Sequence, residues 1–256
     1  MRSIQATLAV ATACLTTGLA TACGTTTAQR PASGSPVSQT SAADETAQKT
    51  AQETAPPAPG STPSRTAPPK FSATVSKVTR EQVKHSWRPG CPVPLDGLRM
   101  ITMTYWGFDD KPHTGKLVVN KDATEAITKV FGRLYDWRWP IYKMEPVDAY
   151  KGDDFDSIDA NNTSAFNCRA ATGSSHWSQH AYGRAVDINP RENPYVSADG
   201  SVAHKNARKF AKRPVDAPGV VNPGDRVVKA FARVGWGWGG DWSGIKDYQH
   251  FSAGGN

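Results

Sequence analysis

A stretch of ten residues in the second half of the chain contains two side chains that could bind a metal ion. The stretch from Ser178 to Asp187 reads S-Q-H-A-Y-G-R-A-V-D. If Gly183, Ala185 and Asp187 lie on one strand, alternation directs all three to the same face, and the two small residues leave room beside the carboxylate. A turn just upstream would bring His180 over the same space. The spacing therefore predicts two ligands, and a catalytic zinc site needs a third protein ligand from elsewhere in the chain.

The third ligand has several histidine candidates. They are His85, His113, His176, His204 and His250. His176 has the H-x-x-x-H spacing that places two ligands on one helix face, but its surroundings, T-G-S-S-H-W-S, disfavour a helix. His250 in D-Y-Q-H-F is the better candidate, because Asp247 would supply an acid three residues earlier that acts on water without binding the metal. A lone His180 or a lone His250 would more often be structural than a ligand.

The elements around these residues predict an α+β fold with a small antiparallel or mixed sheet and packed helices. Leu98 to Phe108 and Gly115 to Val119 are β-rich segments separated by a turn. From Asp122 onward, apolar residues at helical spacing predict a helix that ends before Pro140, with Asp122 and Glu125 as a capping box. The remaining predicted elements are strands at 141–147 and 186–188 and a helix at 225–234.

The first 80 residues have the composition of an export signal followed by a linker. Met1 and Arg2, followed by an apolar run without acidic residues, predict a signal peptide over residues 1–22. Its end, L-A-T-A-C-G, resembles a lipoprotein box and favours lipidation of Cys23 over plain secretion. The rest of residues 23–80 is rich in Thr, Ala, Ser and Pro, which predicts a disordered linker. We therefore expect an extracytoplasmic protein, lipid-anchored to the cell membrane or secreted to the cell wall.

Residues 81–256 are predicted to form one domain, which contains all eight tryptophans. This segment has 23 Lys and Arg against 20 Asp and Glu, and the resulting net charge of +3 does not support nucleic-acid binding. Cys91 and Cys168 are an isolated pair in an exported domain, which favours a disulfide over a zinc site. The tryptophans between residues 236 and 242 are predicted to belong to the core and a cleft wall. The domain is expected to be a monomer.

At these residues the chain resembles the zinc D-alanyl-D-alanine carboxypeptidase family, in the superfamily that also contains the hedgehog signalling domain. The motifs are S-x-H-x-x-G-x-A-x-D from Ser178 and D-x-x-H from Asp247, with N-N-T-S-A-F-N-C-R and N-P-x-x-N-P-Y on either side of the first. The chain is more specifically similar to bacterial and phage peptidoglycan peptidases with carboxypeptidase-like or L-alanyl-D-glutamate endopeptidase activity. The resemblance extends roughly from Trp87 to Ser252.

The resemblance implies a role for each matching residue. The zinc ligands would be His180, Asp187 and His250. Asp247 would be the general base, Arg169 would face the scissile carbonyl or the substrate carboxylate, and Ser178 would support the substrate or the metal-binding loop. Some relatives, such as the D-Ala-D-Ala dipeptidases, use glutamate as the base, so Asp247 marks a subfamily and leaves the scissile bond open. The implied function is hydrolysis of peptidoglycan stem peptides, and the alternative is a zinc-containing module that binds wall peptides without cutting them.

Overall fold

The computed structural model describes residues 67–255 of the chain. The predicted signal peptide, Cys23 and the first part of the predicted linker lie outside the described residues. The α-helices are α1 (Thr124–Asp136), α2 (Asp154–Asp159) and α3 (Arg226–Ala232). The strands are β1 (Ala73–Lys77), β2 (Leu98–Trp106), β3 (Pro112–Asn120), β4 (Lys143–Met144), β5 (Asn162–Thr163), β6 (Ala185–Asp187), β7 (Tyr195–Val196), β8 (Trp236–Trp238), β9 (Lys246–Asp247) and β10 (His250–Ala253). The predicted α+β class is confirmed.

The first sheet has the order β1-β2-β3, and all of its strands are antiparallel. In β2 and β3 the paired residues Ile101 and Leu117 are fully buried, which fixes the register through the core. Strand β1 precedes residue 81, the predicted start of the domain, so ordered structure begins within the predicted linker. Four of the five β1 residues are exposed, so its composition carries little of the apolar signal expected of a folded strand.

Helix α1 packs its apolar face on this sheet through buried residues at helical spacing. These residues are Ile127, Val130, Phe131, Leu134 and Tyr135. The helix begins at Thr124 after a 3-10 turn, and the predicted Asp122–Glu125 capping box does not form. Asn120 instead accepts a hydrogen bond from the backbone N–H of Asp122 at 3.3 Å and caps the turn. The Asp122 carboxylate pairs with Arg184, an ion pair that the sequence pattern alone does not indicate.

The second sheet has the order β6-β10-β8, again antiparallel, and helix α3 covers it. Phe231 of α3 stacks on Phe251 of β10 with ring centroids 3.9 Å apart, and Trp238 is buried beside them. This packing agrees with a core position for the tryptophans of β8. The predicted strand at 141–147 is reduced to β4, because Val147–Tyr150 forms a 3-10 helix. Within residues 67–255, no helix combines the length and apolar character needed to cross a bilayer.

The predicted disulfide between Cys91 and Cys168 is present and joins positions 77 residues apart. Cys168 is buried in a second apolar cluster that includes Leu98 and Phe166. The Arg88 guanidinium also donates a hydrogen bond to the Cys168 carbonyl at 2.6 Å. The disulfide and this hydrogen bond hold the backbone immediately before Arg169 against the first part of the domain.

Removing this disulfide is expected to destabilise the domain without abolishing its core. We predict that the double substitution of Cys91 and Cys168 by alanine lowers the free energy of unfolding by about 2–5 kcal/mol, because the closed loop is long. Denaturant titration of the oxidised protein, the reduced protein and the double variant measures this difference. Equal midpoints for all three would contradict the prediction, since reduction and substitution remove the same constraint.

Candidate metal centre

The pairing of β6 with β10 brings Asp187 and His250 together. The two residues lie directly opposite each other in the antiparallel register, which places their side chains on one face with Cβ atoms about 4.5–5.5 Å apart. The next pair, Val186 and Phe251, points to the other face and is fully buried in the core. The alternation that fills the core therefore directs Asp187 and His250 into the same space.

His180 reaches this space from the 3-10 helix Gln179–Tyr182. The Ser178 hydroxyl oxygen caps this helix by accepting the His180 backbone N–H at 3.3 Å. The helix ends at Gly183, which has a φ of +64°, and a Cβ there would lie 2.5 Å from the backbone nitrogen of Asn120. Gly183 is therefore required for the turn and its packing on β3. The expectation that it lies on the same strand as Asp187 is wrong, because β6 begins at Ala185.

The three side chains form a compact, buried cluster. His180 Nε2 lies 3.2 Å from Asp187 Oδ2, and His250 Nδ1 lies 3.1 Å from Asp187 Oδ1. The two imidazole nitrogens are themselves 3.1 Å apart. Ligand atoms of a tetrahedral zinc ion lie roughly 3.3 Å from one another, given bonds near 2.0–2.1 Å. Over residues 67–255, this is the cluster of His, Cys, Asp or Glu side chains whose geometry could hold a metal ion.

The hydrogen bond of His180 Nδ1 leaves Nε2 as the ring nitrogen available to bind a metal. His180 Nδ1 lies 2.5 Å from the carbonyl oxygen of Ala165. A carbonyl only accepts hydrogen bonds, so Nδ1 carries a proton, and Nε2, which faces Asp187 and His250, is the nitrogen that could bind a metal. A backbone partner of this kind also fixes the orientation of a ligating histidine. Two imidazole nitrogens and one carboxylate oxygen are a donor set suited to zinc.

The three clustered side chains shift one another's pKa values. Burial would raise the pKa of Asp187, but His180 and His250 outweigh burial and hold this pKa below its ordinary value. Burial would lower the pKa of His180, but the Asp187 carboxylate raises it above its ordinary value. Burial lowers the pKa of His250 despite its hydrogen bond with Asp187. Asp187 is therefore an ionised carboxylate at neutral pH.

Asp247 lies beside the cluster on β9, directly opposite Tyr195 of β7. Both residues line the cleft that contains the three clustered side chains. The Oδ1 atom of Asp247 is enclosed and has no hydrogen-bond partner among the described residues. Burial raises the pKa of Asp247 well above its ordinary value, and the neighbouring Asp187 carboxylate raises it further. A carboxyl group that lines a cleft and has a raised pKa is suited to exchange protons with a bound molecule.

Arg169 reaches the cleft because its segment runs alongside the segment that carries His180. The Asn167 backbone N–H donates to the His180 carbonyl at 3.2 Å, and the Ser178 N–H donates to the Arg169 carbonyl at 3.1 Å. The Arg169 side chain lines the cleft and pairs with Asp154 at 2.9 Å. Ser178 also lines the cleft, but the contact that the structure gives its hydroxyl is the cap on the His180 backbone.

The cleft has a volume of about 310 Å³ and contains every residue assigned a catalytic, substrate-binding or metal-binding role from the sequence. The other candidate histidines do not line it. His113 contacts Asp109 and His204 contacts Asp159, while His176 is exposed. Asp154 was not identified from the sequence, because the run D-D-F-D has no spacing that distinguishes a site residue from a solvated helix start.

The fold and the cleft define an α+β protein with a buried cluster of two histidines and one carboxylate, an arrangement typical of metal-dependent hydrolases. Residues 172–253 match the model of a family described as D-alanyl-D-alanine carboxypeptidase. This segment is less than half of the chain and includes His180, Asp187, Asp247 and His250. Searches of curated proteins and of solved structures gave no match. The family match supports a peptidase.

Proposed function

We propose that the protein is a zinc-dependent peptidase that hydrolyses peptide bonds in peptidoglycan stem peptides. The observation that carries this proposal is the cluster of His180, Asp187 and His250 inside a cleft that Asp247 and Arg169 also line. The resemblance of the sequence to peptidoglycan peptidases and the family match over residues 172–253 support the substrate class. The bond would be of the D-alanyl-D-alanine or L-alanyl-D-glutamate kind.

In this proposal the three clustered residues hold zinc, and Asp247 moves the proton. When bound, zinc would polarise the scissile carbonyl and lower the pKa of the attacking water. The Asp247 carboxylate accepts a proton from that water as it attacks the carbonyl carbon. The same residue then donates this proton to the leaving amine, so Asp247 returns to its starting state.

Arg169 supplies fixed positive charge on the cleft wall. The Arg169 side chain lines the cleft and its Nε–H has no partner among the described residues, so the guanidinium has a donor left for a substrate oxygen. The disulfide at Cys168 and the ion pair with Asp154 restrict the movement of the guanidinium. A donor held in place in this way stabilises the negative charge that develops on the carbonyl oxygen during the reaction.

Incubation with purified muropeptides tests the proposal. The full-length protein loaded with zinc is expected to release fragments whose masses identify the cleaved bond. Treatment with a chelator should stop the release, and added zinc should restore it. Muropeptides that stay intact with zinc-loaded protein would contradict the peptidase function and favour the alternative, a zinc-containing domain that only binds wall peptides.

The proposed substrate requires an extracytoplasmic location. The sequence motif before Cys23 predicts a lipid anchor, and a monomer tethered to the membrane through the linker would reach the cell wall. A Cys23→Ser variant is expected to leave the membrane fraction and appear in the medium. Equal membrane association of this variant and the wild type would contradict lipidation at Cys23.

A further inference from the structure

Asp154 forms an ion pair with Arg169 on the wall of the cleft. The carboxylate of Asp154, the first residue of α2, lies 2.9 Å from Arg169 Nη2 in this pair. Both side chains are only partly exposed, at 31% and 26%, and both line the cleft that contains the metal-binding cluster. The partial burial makes this pair stronger than a solvated surface pair.

The remaining contacts of Arg169 leave Asp154 as its only described charged partner. Arg169 Nη1 donates to the carbonyl oxygen of Ala170 at 3.2 Å, which is a neutral acceptor. Arg169 Nε is enclosed without a partner among the described residues. The position of the guanidinium is therefore set by the backbone on one side and by Asp154 on the other.

The charge balance of the cleft bears on which peptides fit it. Among the described residues that line the cleft, Arg169 is the single Lys or Arg, and the acidic residues are Asp154, Asp187 and Asp247. A carboxypeptidase substrate ends in an ionised carboxylate one residue beyond the scissile bond, and its binding needs a cation with uncompensated charge. Asp154 offsets the charge of Arg169 and repels a second carboxylate. A substrate in which this carboxylate is amidated or bonded to the next residue carries no charge at that point.

We propose that Asp154 is a specificity-determining residue that disfavours substrates with a free carboxylate on the residue after the scissile bond and favours those in which this group is amidated or bonded to the next residue. This inference rests on the proposed peptidase function and deepens it, because it states which chemical form of the residue after the scissile bond the cleft accepts. Asp154 acts through Arg169. The Arg169 Nε–H stays available for the carbonyl oxygen, while the Asp154 carboxylate offsets the positive charge that would attract a substrate carboxylate.

The test uses two synthetic peptides that contain the bond cleaved in muropeptides. One peptide ends in a free carboxylate at the residue after the scissile bond, and the other carries an amide there. The ratio of kcat/KM for the two peptides measures discrimination against the carboxylate. The wild type is expected to prefer the amide, and Asp154→Asn is expected to shift the ratio toward the carboxylate by about tenfold.

Two further variants control for other effects of the substitution. Asp156→Asn makes the same change in charge on the same helix, but the Asp156 side chain is exposed and does not line the cleft. Its ratio should stay within about twofold of the wild type, since screening weakens the effect of a distant exposed charge. Asp154→Glu retains a carboxylate and should retain the preference for the amide.

The outcomes separate this inference from the function on which it rests. If the wild type cleaves muropeptides but prefers the free carboxylate, or if Asp154→Asn lowers both values of kcat/KM without changing their ratio, the inference is wrong and the peptidase function stands. Equal shifts in Asp154→Asn and Asp156→Asn would also overturn it, because a general charge effect would then explain the ratio. If zinc-loaded wild type cleaves no muropeptide, the proposed function fails first.

Discussion

Replacing Asp247 by asparagine is expected to lower the rate of muropeptide cleavage by about 10²–10⁴-fold while the zinc content stays at the wild-type level. Asparagine preserves the shape of the side chain but cannot accept a proton from water at neutral pH. Asp247 lies on β9, outside the cluster of His180, Asp187 and His250, so its loss removes none of the three candidate ligands.

Asp247→Glu and Asp241→Asn provide the matched controls. Glutamate restores the carboxylate but carries it one methylene further into the cleft, so partial activity is expected. Asp241 is exposed and does not line the cleft, and its substitution by asparagine makes the same charge change six residues earlier. That variant should retain wild-type activity. Cleavage and bound zinc are measured on all four proteins.

A competing hypothesis makes Asp247 a fourth ligand in a closed structural site. It predicts that Asp247→Asn binds zinc more weakly and that even the wild type cleaves nothing. Retained zinc together with lost cleavage would exclude the closed site. An asparagine variant as active as the wild type would instead show that another group moves the proton.

The residues that the sequence assigns to the site all line one cleft, because short motifs carry most of the local geometry. His180 and Asp187 lie within eight residues of each other, and the D-x-x-H motif links Asp247 to His250 in the same way. The motifs do not show how the segment with His180 and Asp187 comes to lie next to the segment with Asp247 and His250. The antiparallel register that places His250 opposite Asp187, 63 residues away, follows from burial of Val186 and Phe251 on the other face.

The errors of the sequence analysis fall where a long-range contact overrides a local pattern. Gly183 fits a strand pattern, but the close approach of the Asn120 backbone makes it the left-handed end of a 3-10 helix. Asp122 has the spacing of a helix cap, but it is drawn away into an ion pair with Arg184. Asp154 pairs with Arg169 because the disulfide at Cys168 holds the adjacent Arg169 in this position. None of these contacts has a periodicity or spacing that sequence analysis could detect.

Substituting any one of the three clustered residues is expected to remove bound zinc. Substituting residues that hydrogen-bond to metal ligands typically weakens metal binding about 10–100-fold, so loss of a ligand should weaken it by at least about 100-fold. We therefore expect His180→Ala, Asp187→Asn and His250→Ala to be purified with little zinc and without detectable cleavage. The wild type should contain one zinc ion per chain, measured by metal analysis after gel filtration.

His176→Ala is the matched control for the histidine variants. His176 lies four residues before His180 and has the H-x-x-x-H spacing of a ligand pair, but it is exposed and does not line the cleft. Its zinc content and cleavage rate should equal those of the wild type. Loss of zinc in His176→Ala with retention in His250→Ala would show that the third ligand has been misassigned.

The fold of the metal-free protein distinguishes a catalytic from a structural role for zinc. The strands that carry Asp187 and His250 are held by the core residues Val186 and Phe251, and His180 is held by Ala165. The ion pair between His180 and Asp187 also satisfies the buried charge when the metal is removed. We therefore expect chelated wild type and His250→Ala to keep the circular dichroism spectrum of the zinc-loaded protein. Cooperative unfolding on chelation would instead mean that zinc maintains the fold, which would favour the alternative of a non-catalytic wall-binding domain.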